Sequence, residues 1–423
     1  MTKPSSEFDF ASVLQPGDHV VWPQGTGEPT GLTAALVEAT PDLPAYVAVL
    51  GMATTRTPKA LVESGARFLC LNGAAGTRSA AAHSGNRIMP AHVSTVPGLI
   101  RSRRLPVDVV LLRVRPTEEP GMFSAGVVAD FVQEMVDAAR VVIAEIDDRL
   151  PLTGDDALIA RDRIHHLTLA DGPEPLLPDA PAGATDIEVA RRVAEIVPDR
   201  ATIQLGIGGL PTAVCAALAG HKHLGIHSGV IPDCAVDLLE NGAVTNLHKG
   251  LDEGRMVTGG LFGDRRLFDF SDGNNAVSLR GAAYTHAAQT MARLKKFYTI
   301  NSAIEIDLTG QVNSELAGGK YIGAVGGQVD FVRGGRLSEG GRSIIALAST
   351  TADGKTSKIV AGLENRPVTT ARSDIDIVVT EFGSAELWGL DFPARARALV
   401  AIAHPDFRES LDRSLQAAAA HAG

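Results

Sequence analysis

Aromatic residues are scarce in this chain of 423 residues, where they make up only 4% of the sequence. The core must therefore be built mainly from Ala, Val, Leu and Ile. The three cysteines, Cys70, Cys215 and Cys234, each lie in an apolar run, and no CxxC pair exists. This pattern argues against a disulfide framework or a zinc site, so we expect a reducing, cytoplasmic location and no metal.

Long apolar runs and an excess of basic residues are also missing. No run approaches the length of a membrane span, and the N-terminus lacks the apolar segment and cleavage motif of a signal peptide. The net charge is −10, so we expect neither a nucleic-acid nor a membrane partner, although a local basic pocket could still take a small phosphorylated ligand. HExxH, GxSxG and Walker motifs are absent as well.

What the sequence does contain is a regular alternation of short apolar runs and helical segments. Strands without polar alternation, spaced by helices, predict α/β architecture with parallel sheets covered on both faces. A proline-rich stretch at 171–186 divides the pattern, and a helical C-terminus at 393–420 is broken at 404–407. We predict two α/β lobes, residues 1–185 and 186–423. The predicted strands are 18–22, 45–50, 67–71, 107–114 and 140–146, then 201–209, 223–229, 254–263, 296–307, 342–350 and 374–383.

Two glycine-rich stretches end strands and are candidate ligand sites. In "QLGIGGLPTAV" (204–214), Gly208 and Gly209 open a helix, where free N–H groups suit an anion or an oxyanion. A dinucleotide fingerprint is disfavoured because Thr212 stands at its last glycine position. In "GAVGGQVDFVRGG" (323–335), Gly326 and Gly327 precede Gln328 and Asp330. That stretch indicates either a pair of turns or a ligand lying against bare backbone.

Several acids and one histidine follow or occupy predicted strands. Glu305 and Asp307 are two residues apart and share a strand face, as on a solvated edge strand or in a cleft with a raised pKa. Glu28 and Glu381 stand next to turns, where an acid commonly stabilises a helix N-terminus, and we also expect both to contribute to the substrate or CoA site. In "LGIHSGVIPD" (224–233), His227 is a structural histidine or a base, on a predicted bend that includes Gly229.

The chain resembles the acetyl-CoA hydrolase/transferase family, in motifs that run in order over nearly its whole length. The motifs include "GEPTGL", "PAHVSTVPGLI" and "AEIDDRLPLTG" in the first half, and "LGIGGLPTAV", "NSAIEIDLTGQVNSE", "GAVGGQVDF" and "TEFGSAELWG" in the second. The resemblance implies two open parallel-sheet lobes of the CoA-transferase type, with an acyl-CoA bound between them. It also implies coenzyme A and a small carboxylate as substrates or products, and a homodimer.

One position departs from the family pattern. Family transferases form a glutamyl-CoA thioester on the last residue of a stretch like "LGIHSE", and this chain has Gly229 there. A glycine cannot carry an acyl or CoA group. The stretch "RPTEEPG" (115–121) also departs from the family's Ser-Pro-x-Asp, and we expect it near the cleft.

Three interpretations stay open. The chain hydrolyses or rearranges an acyl-CoA without the glutamyl intermediate, with Glu305 or His227 as general base and glycine N–H groups as oxyanion donors. Alternatively, it transfers CoA through a substitute glutamate, with Glu305 as the leading candidate, or it binds CoA without catalysis. We expect Glu305 to be buried in the interlobe cleft. For the CoA phosphates we expect basic partners near the second glycine stretch, namely Lys320, Arg333, Arg336 and Arg342.

Overall fold

The structure is a computed structural model that describes residues 2–83 and 87–421. Most of the mass lies in two large sheets, one formed by the first 170 residues and one by residues 202–386. The core strands of both sheets are buried, because helices and loops cover both faces. The predicted α/β class with two open, mainly parallel sheets is confirmed.

The first sheet has a seven-stranded parallel core in the order β4-β3-β2-β1-β5-β7-β9, and β6 and β8 extend it in antiparallel fashion. Its strands are β1 His19–Val21, β2 Val47–Leu50, β3 Arg67–Cys70, β4 Arg87–Ile88, β5 Val109–Pro116, β6 Met122–Ser124, β7 Val141–Ile146, β8 Leu158–Ala160 and β9 His166–Leu169. The helices between them are α1 Thr30–Ala39, α2 Thr57–Glu63, α3 Arg78–Ala82, α4 Val96–Arg101 and α5 Val132–Ala138.

The second sheet runs β13-β12-β11-β10-β14-β19-β21-β22 and is parallel except for the edge strand β22. Its strands are β10 Thr202–Gln204, β11 Gly225–Ile231, β12 Met256–Leu261, β13 Val277–Leu279, β14 Phe297–Ser302, β19 Arg342–Ala346, β21 Ile377–Thr380 and β22 Gly383–Glu386. Two small sheets hold β15 Glu305–Asp307, β16 Val312–Asn313 and β20 Ile359–Val360, and β17 Leu316–Ala317 with β18 Lys320–Tyr321.

Nine helices surround the second sheet in the described part of the chain. They are α6 Ala184–Ile196, α7 Gly209–Leu218, α8 Cys234–Glu240, α9 Arg265–Ser271, α10 Ala282–Thr285, α11 Ala288–Met291, α12 Gln328–Leu337, α13 Phe392–Ala401 and α14 Pro405–His421. Residues 170–183 form neither helix nor strand, so the proline-rich stretch is the connection between the two sheets. The domain boundary at residue 185 stays a prediction.

Two local expectations are wrong. Strand β11 does not bend at His227 but continues through Gly229 to Ile231, because β12 pairs with it along that length. Cys215 and Cys234, which the sequence gave no reason to pair, are joined as a disulfide in the structure. Helices α7 and α8 pack together and bring their Cα atoms to 5.9 Å, a separation that a disulfide spans.

The two sheets are joined by backbone hydrogen bonds that cross between them. Residues 127–129 run beside β12, where the N–H of Ala129 donates to the carbonyl of Gly259 over 2.8 Å and the N–H of Leu261 donates to Val127 over 2.8 Å. This pairing holds the next residue of the first half, Asp130, against the second half.

Candidate active site between the two lobes

A cavity of about 280 Å³ lies between the lobes. Gly229 of β11, the segment after β10 and residues 324–328 form one wall, and Gln24 and Asp130 belong to the other lobe. Ligand sites of open α/β sheets lie at the carboxyl ends of parallel strands, and several of these segments follow such ends. We call this cavity the cleft.

Gly229 leaves a space that a histidine ring fills. A Cβ atom on Gly229 would lie 2.8 Å from Cε1 and 2.9 Å from Nε2 of His286, and one on Gly327 would lie 2.6 Å from Nε2. All three distances are below normal van der Waals contact. The ring of His286 therefore packs directly against two backbones that carry no side chain, and a side chain at position 229 would have to displace it.

His286 is a neutral ring at the cleft. The Thr285 hydroxyl lies 2.9 Å from Nδ1 of His286 and 3.3 Å from the carbonyl oxygen of Gly281. Burial, with a smaller contribution from nearby His227, lowers the pKa of His286 to about 3. The ring is therefore neutral near pH 7, and its Nε2 lies against the backbones of Gly229 and Gly327.

Asp130 supplies a carboxylate to the cleft from the other lobe. It is 4% exposed, and its Oδ2 accepts a hydrogen bond of 2.7 Å from Nε2 of Gln24. Burial raises the pKa of Asp130 to about 6, and the Gln24 hydrogen bond opposes that rise only in part. A cleft carboxyl group that titrates near neutral pH has the properties of a general acid or base.

Backbone donors also face the cleft. Ile207 and Gly327 line it, and within residues 2–83 and 87–421 neither of their N–H groups has a hydrogen-bond acceptor. Gly326 also lines the cleft, but its backbone is bridged to that of His92. Gly326 has a φ of +56°, a conformation that glycine adopts without strain. Free N–H groups of this kind stabilise the oxyanion that forms when a thioester carbonyl is attacked.

Some of the residues expected from the sequence do meet at the cleft. Gly229, Gly326, Gly327 and Gln328 line it. In the first glycine stretch, Gly206 and Ile207 line the cleft, whereas the expected residues Gly208 and Gly209 follow them in sequence and do not. A Cβ atom on Gly209 would instead meet the backbone of Pro181. Both glycine stretches therefore border the cleft, but the first does so through residues two positions earlier than expected.

Glu305 is not in the cleft, and the expectation that placed it there is wrong. It lies on β15 of a small three-stranded sheet and borders a different cavity, formed by residues of the second half. Its carboxylate accepts from Nδ2 of Asn313 over 2.7 Å and forms an ion pair with Arg366. Two acids on one strand face identified a polar strand, but they did not identify which sheet would hold that strand.

His227 is packed behind the cleft and does not line it. It is fully buried, its Nε2 donates to the carbonyl of Thr285 over 2.9 Å, and its Nδ1 has no partner among the described residues. Burial lowers the pKa of His227 to about 4. The ring therefore supports the C-terminal end of α10 at Thr285 and so helps to hold the next residue, His286, in position.

The remaining acids expected at the site have partners elsewhere. Glu28 is 1% exposed and accepts from the hydroxyls of Thr33 and Thr55, and Glu381 accepts from the N–H and hydroxyl of Ser349. None of these side chains lines the cleft. They hold loops in place through these hydrogen bonds, and the structure does not bring them to the cleft where a substrate or CoA role was expected.

Asp330 and the stretch 115–121 also differ from expectation. Asp330 accepts from the N–H and the hydroxyl of Ser94 over 3.0 and 2.6 Å, so it ties α12 to the other lobe. Glu118 and Glu119 are exposed, and Arg115 pairs with Asp272. The unusual "RPTEEPG" stretch therefore does not shape the cleft.

Asp130 and His286 were missed because neither belongs to a recognisable local motif. Asp130 is a single acid in the apolar stretch "GVVADF", and that isolation was the signal available. His286 lies in "YTHAAQ", which gives no indication of its distance from Gly229.

Two lobes of mainly parallel sheet with a glycine-walled cleft between them define an enzyme of the CoA-transferase type. A family model described as the acetyl-CoA hydrolase/transferase C-terminal domain matches residues 263–415. The 4-hydroxybutyrate coenzyme A transferase of Clostridium kluyveri is 37% identical over 405 residues, which cover 95% of this chain and 94% of that protein. The chain belongs to the acetyl-CoA hydrolase/transferase family, as its motifs indicated.

Solved structures agree with this assignment. The 4-hydroxybutyrate CoA-transferase from Porphyromonas gingivalis is 31% identical with a TM-score of 0.83, and it is matched over 98% of this chain and 96% of its own. RipA from Yersinia pestis is 30% identical with a TM-score of 0.90 over the same shares.

Among the described residues, no group of three or more His, Cys, Asp or Glu side chains is arranged to hold a metal ion. No helix in the described ranges has the length and apolar character needed to cross a membrane.

Proposed function

We propose that this enzyme hydrolyses an acyl-CoA thioester in the cleft without forming a glutamyl-CoA intermediate. The observation that carries the proposal is the contact between Gly229 and His286. Where the family pattern has a glutamate, this chain has no side chain, and His286 fills the space at 2.8 Å. A glutamate side chain at position 229 could not carry CoA while the His286 ring fills the space next to its backbone.

The substitute glutamate suggested by the sequence is not available at the cleft. Glu305 is paired with Arg366 at another cavity, and Asp130 is the carboxylate among the described residues that line the cleft. The proposal therefore assigns the general base to Asp130 and no longer to Glu305 or His227.

The chemistry follows from the groups that surround the cleft. Ionised Asp130 takes a proton from a water molecule whose oxygen forms a bond to the thioester carbonyl carbon. The N–H groups of Ile207 and Gly327 stabilise the oxyanion, an effect typically worth about 3–4 kcal/mol per donor. The carbon–sulfur bond then breaks, and Asp130 returns the proton to the leaving sulfur, which gives a carboxylic acid and the CoA thiol.

His286 contributes as an acceptor. In the proposed mechanism the ring carries its proton on Nδ1, beside the Thr285 hydroxyl, and its Nε2 accepts the second hydrogen of the attacking water. Its low pKa keeps the ring neutral while Asp130 is ionised, so the two groups do not form an ion pair that would reduce the basicity of Asp130.

A second candidate function is CoA transfer between small carboxylic acids through Asp130. It is favoured by one observation, namely that a buried carboxyl group lies in the cleft and could carry CoA as an aspartyl thioester. A homodimer remains a proposal that rests on the family resemblance. A cytoplasmic location remains a proposal that rests on the small number of cysteines and the lack of a CxxC pair, although Cys215 and Cys234 are joined as a disulfide in the structure.

The two candidates are separated by intact-mass spectrometry of the protein after incubation with a panel of acyl-CoAs. Hydrolysis predicts free CoA and no mass increase, with a rate that does not depend on added acetate, propionate or butyrate. A CoA adduct together with acceptor-dependent turnover would support transfer and contradict hydrolysis. If neither CoA release nor an adduct is seen with any acyl-CoA, both candidates fail.

A further inference from the structure

A small cavity of about 30 Å³ lies in the first lobe, beside the cleft. Residues at the carboxyl ends of β1, β2 and β3 line it, and helices α4 and α5 cover it. Its lining includes Trp22, Val49, Val96, Ile100 and Met135. The carboxyl ends of parallel strands are where open α/β sheets bind ligands. We call this space the apolar cavity.

The side chains of Gln24 and Asp130 divide the apolar cavity from the cleft, because these two residues line both spaces. Nε2 of Gln24 donates to Oδ2 of Asp130 over 2.7 Å, and Oε1 of Gln24 accepts from the N–H of Met52 over 3.2 Å. A Cβ atom on Gly51 would lie 2.8 Å from Cβ of Gln24, so the glycine lets Gln24 lie there. Two side chains, and no β-strand, therefore form the partition.

The chemistry of the apolar cavity suits an alkyl group. Apart from Gln24 and Asp130, its described lining consists of apolar side chains and Gly51. Nε2 of Gln24 and Oδ2 of Asp130 already bond to each other, which leaves few partners for a water molecule. Apolar cavities stay dry and bind apolar groups, and a water-sized group needs only about 10–15 Å³. The apolar cavity therefore has room for about one methyl or methylene group.

The proposed chemistry places the start of the acyl chain next to this partition. A water molecule activated by Asp130 attacks the carbonyl carbon, so that carbon lies about one water molecule away from the carboxylate. The alkyl part of the acyl group begins at the same carbon. A short chain that leaves the carbonyl carbon on the side of Asp130 thus meets the apolar cavity.

The CoA portion is expected on the opposite side of the cleft, along the glycine stretch at 323–335. Of the basic residues that the sequence suggested for its phosphates, Arg333 is paired with Asp374 and Arg342 with Asp376, whereas Lys320 is exposed. All three belong to the second lobe. The acyl chain, which extends from the other side of the thioester, is therefore directed towards the first lobe.

We infer that the apolar cavity receives the end of the acyl chain, which passes between Gln24 and Asp130, and that the substrates are acyl-CoAs whose acyl group ends in a plain alkyl carbon. This inference rests on the proposed function, which places the thioester beside Asp130. An acyl group that ends in a hydroxyl would lose hydrogen bonds to water on entry. One that ends in a carboxylate would also bring a second negative charge next to Asp130.

The first test measures kcat/KM for straight-chain acyl-CoAs from acetyl to octanoyl, by CoA release. We expect kcat/KM to rise about fourfold per methylene until the end of the chain fills the apolar cavity, and to fall for longer chains. At the optimum length, an analogue with a hydroxyl in place of the terminal methyl should react about tenfold or more slowly. A flat series, or equal rates for this pair, would contradict the inference.

Two reciprocal variants connect this profile to the apolar cavity. Val96→Ile adds one methylene to the cavity wall and should shift the optimum to an acyl chain about one carbon shorter, whereas Ile100→Val removes one methylene and should shift it about one carbon longer. Single-methylene changes have small effects on folding. The control Val62→Ile, on α2 and outside both cavities, should keep the optimum. An optimum that stays the same in both variants would overturn the inference.

A binding measurement separates this inference from the proposed hydrolysis. Calorimetric titration with S-alkyl-CoA thioethers, which cannot be hydrolysed, should show the same dependence on chain length and the same shifts in the two variants. If no thioester is hydrolysed but the thioethers show these shifts, the apolar cavity binds the chain and the proposed hydrolysis fails. If thioesters are hydrolysed but neither variant changes the chain-length dependence, the inference fails and the hydrolysis stands. Thioether affinities that do not depend on chain length would also overturn it.

Discussion

At the scale of single residues, the cleft depends on the contact between Gly229 and His286. Because Gly229 has no side chain, the His286 ring packs against its backbone and Nε2 reaches the cavity wall. Asp130 adds a carboxyl group with a pKa near 6 from the opposite lobe. Each of these three residues can be tested by one substitution with a distinct expected result.

Replacing Gly229 with Glu should not produce a transferase. The new side chain would collide with His286 and place a carboxylate in a buried setting, which costs free energy unless the charge is paired. We expect loss of thioester turnover and little acetate-dependent CoA transfer, measured by CoA release with and without acceptor. Transfer at about 1–1000 per second, an ordinary enzymatic rate, would show that the cleft retains the family's glutamate chemistry.

Replacing Asp130 with Asn should lower kcat/KM about 10²–10⁴-fold, the usual contribution of a general base. In the unaltered enzyme, kcat/KM should rise about tenfold per pH unit below pH 6 and level off above it, because Asp130 must be ionised. The residual activity of the variant should lack this limb. Asp412→Asn, an exposed change on α14, is the control and should behave like the unaltered enzyme. An unchanged limb in the Asp130 variant would remove Asp130 from the mechanism.

Replacing His286 with Asn should change how stability depends on pH. The pKa of His286 is about 3 in the folded protein and near 6.5 when unfolded, so below pH 6.5 the unfolded chain binds a proton that the folded protein does not. This histidine stabilises the fold above pH 6.5, and that stability is lost as the pH falls towards 3, by up to about 1.4 kcal/mol per pH unit.

The measurement is the free energy of unfolding in urea at pH 7 and pH 5. The His286→Asn variant should lose less stability than the unaltered protein between these values. The control His248→Asn, at a different cavity, should leave the pH dependence unchanged. An identical pH dependence in both variants would mean that His286 is protonated in the folded protein.

At the scale of elements, the sequence predicted the strands well and the site only in part. The apolar runs 107–114 and 140–146 correspond to β5 and β7. Strands buried on both faces of a parallel sheet are continuously apolar, and this feature can be recognised in the local sequence. The glycine stretch at 323–335 was found for a similar local reason. The roles of Asp130 and Glu305 could not be read in this way, since they depend on which segments pair over long distances.

The pairing that positions Asp130 makes a prediction for β12. A Cβ atom on Gly259 would collide with the Asp130 carboxylate and lie 2.8 Å from the carbonyl oxygen of Gly229. Replacing Gly259 with Ala should therefore cost about 1–3 kcal/mol of stability by overpacking, and should lower activity by shifting Asp130. Gly220→Ala is the matched control, since a Cβ there meets nothing within 4 Å. Equal stability and activity in the two variants, by urea unfolding and CoA release, would contradict this geometry.

At the scale of the whole molecule, each lobe contributes different groups to the cleft. The second lobe provides the glycine wall, His286 and the backbone donors, and the first lobe provides Asp130 and Gln24. Backbone pairing at β12 and the Ser94–Asp330 hydrogen bonds hold the lobes together around the cleft. The fold is that of the acetyl-CoA hydrolase/transferase family, and our proposal of attack by water rests on the cleft at Gly229.

The central claim is that water, and not a carboxylate of the enzyme, attacks the thioester. The most direct test is a single turnover in ¹⁸O-labelled water with enzyme in excess over acyl-CoA, followed by mass spectrometry of the acid and of the protein. The account predicts that the acid from this first turnover carries one ¹⁸O atom and that the protein mass is unchanged. Unlabelled acid, accompanied by a protein that carries CoA, would show that an enzyme carboxylate supplied the oxygen and would contradict the account.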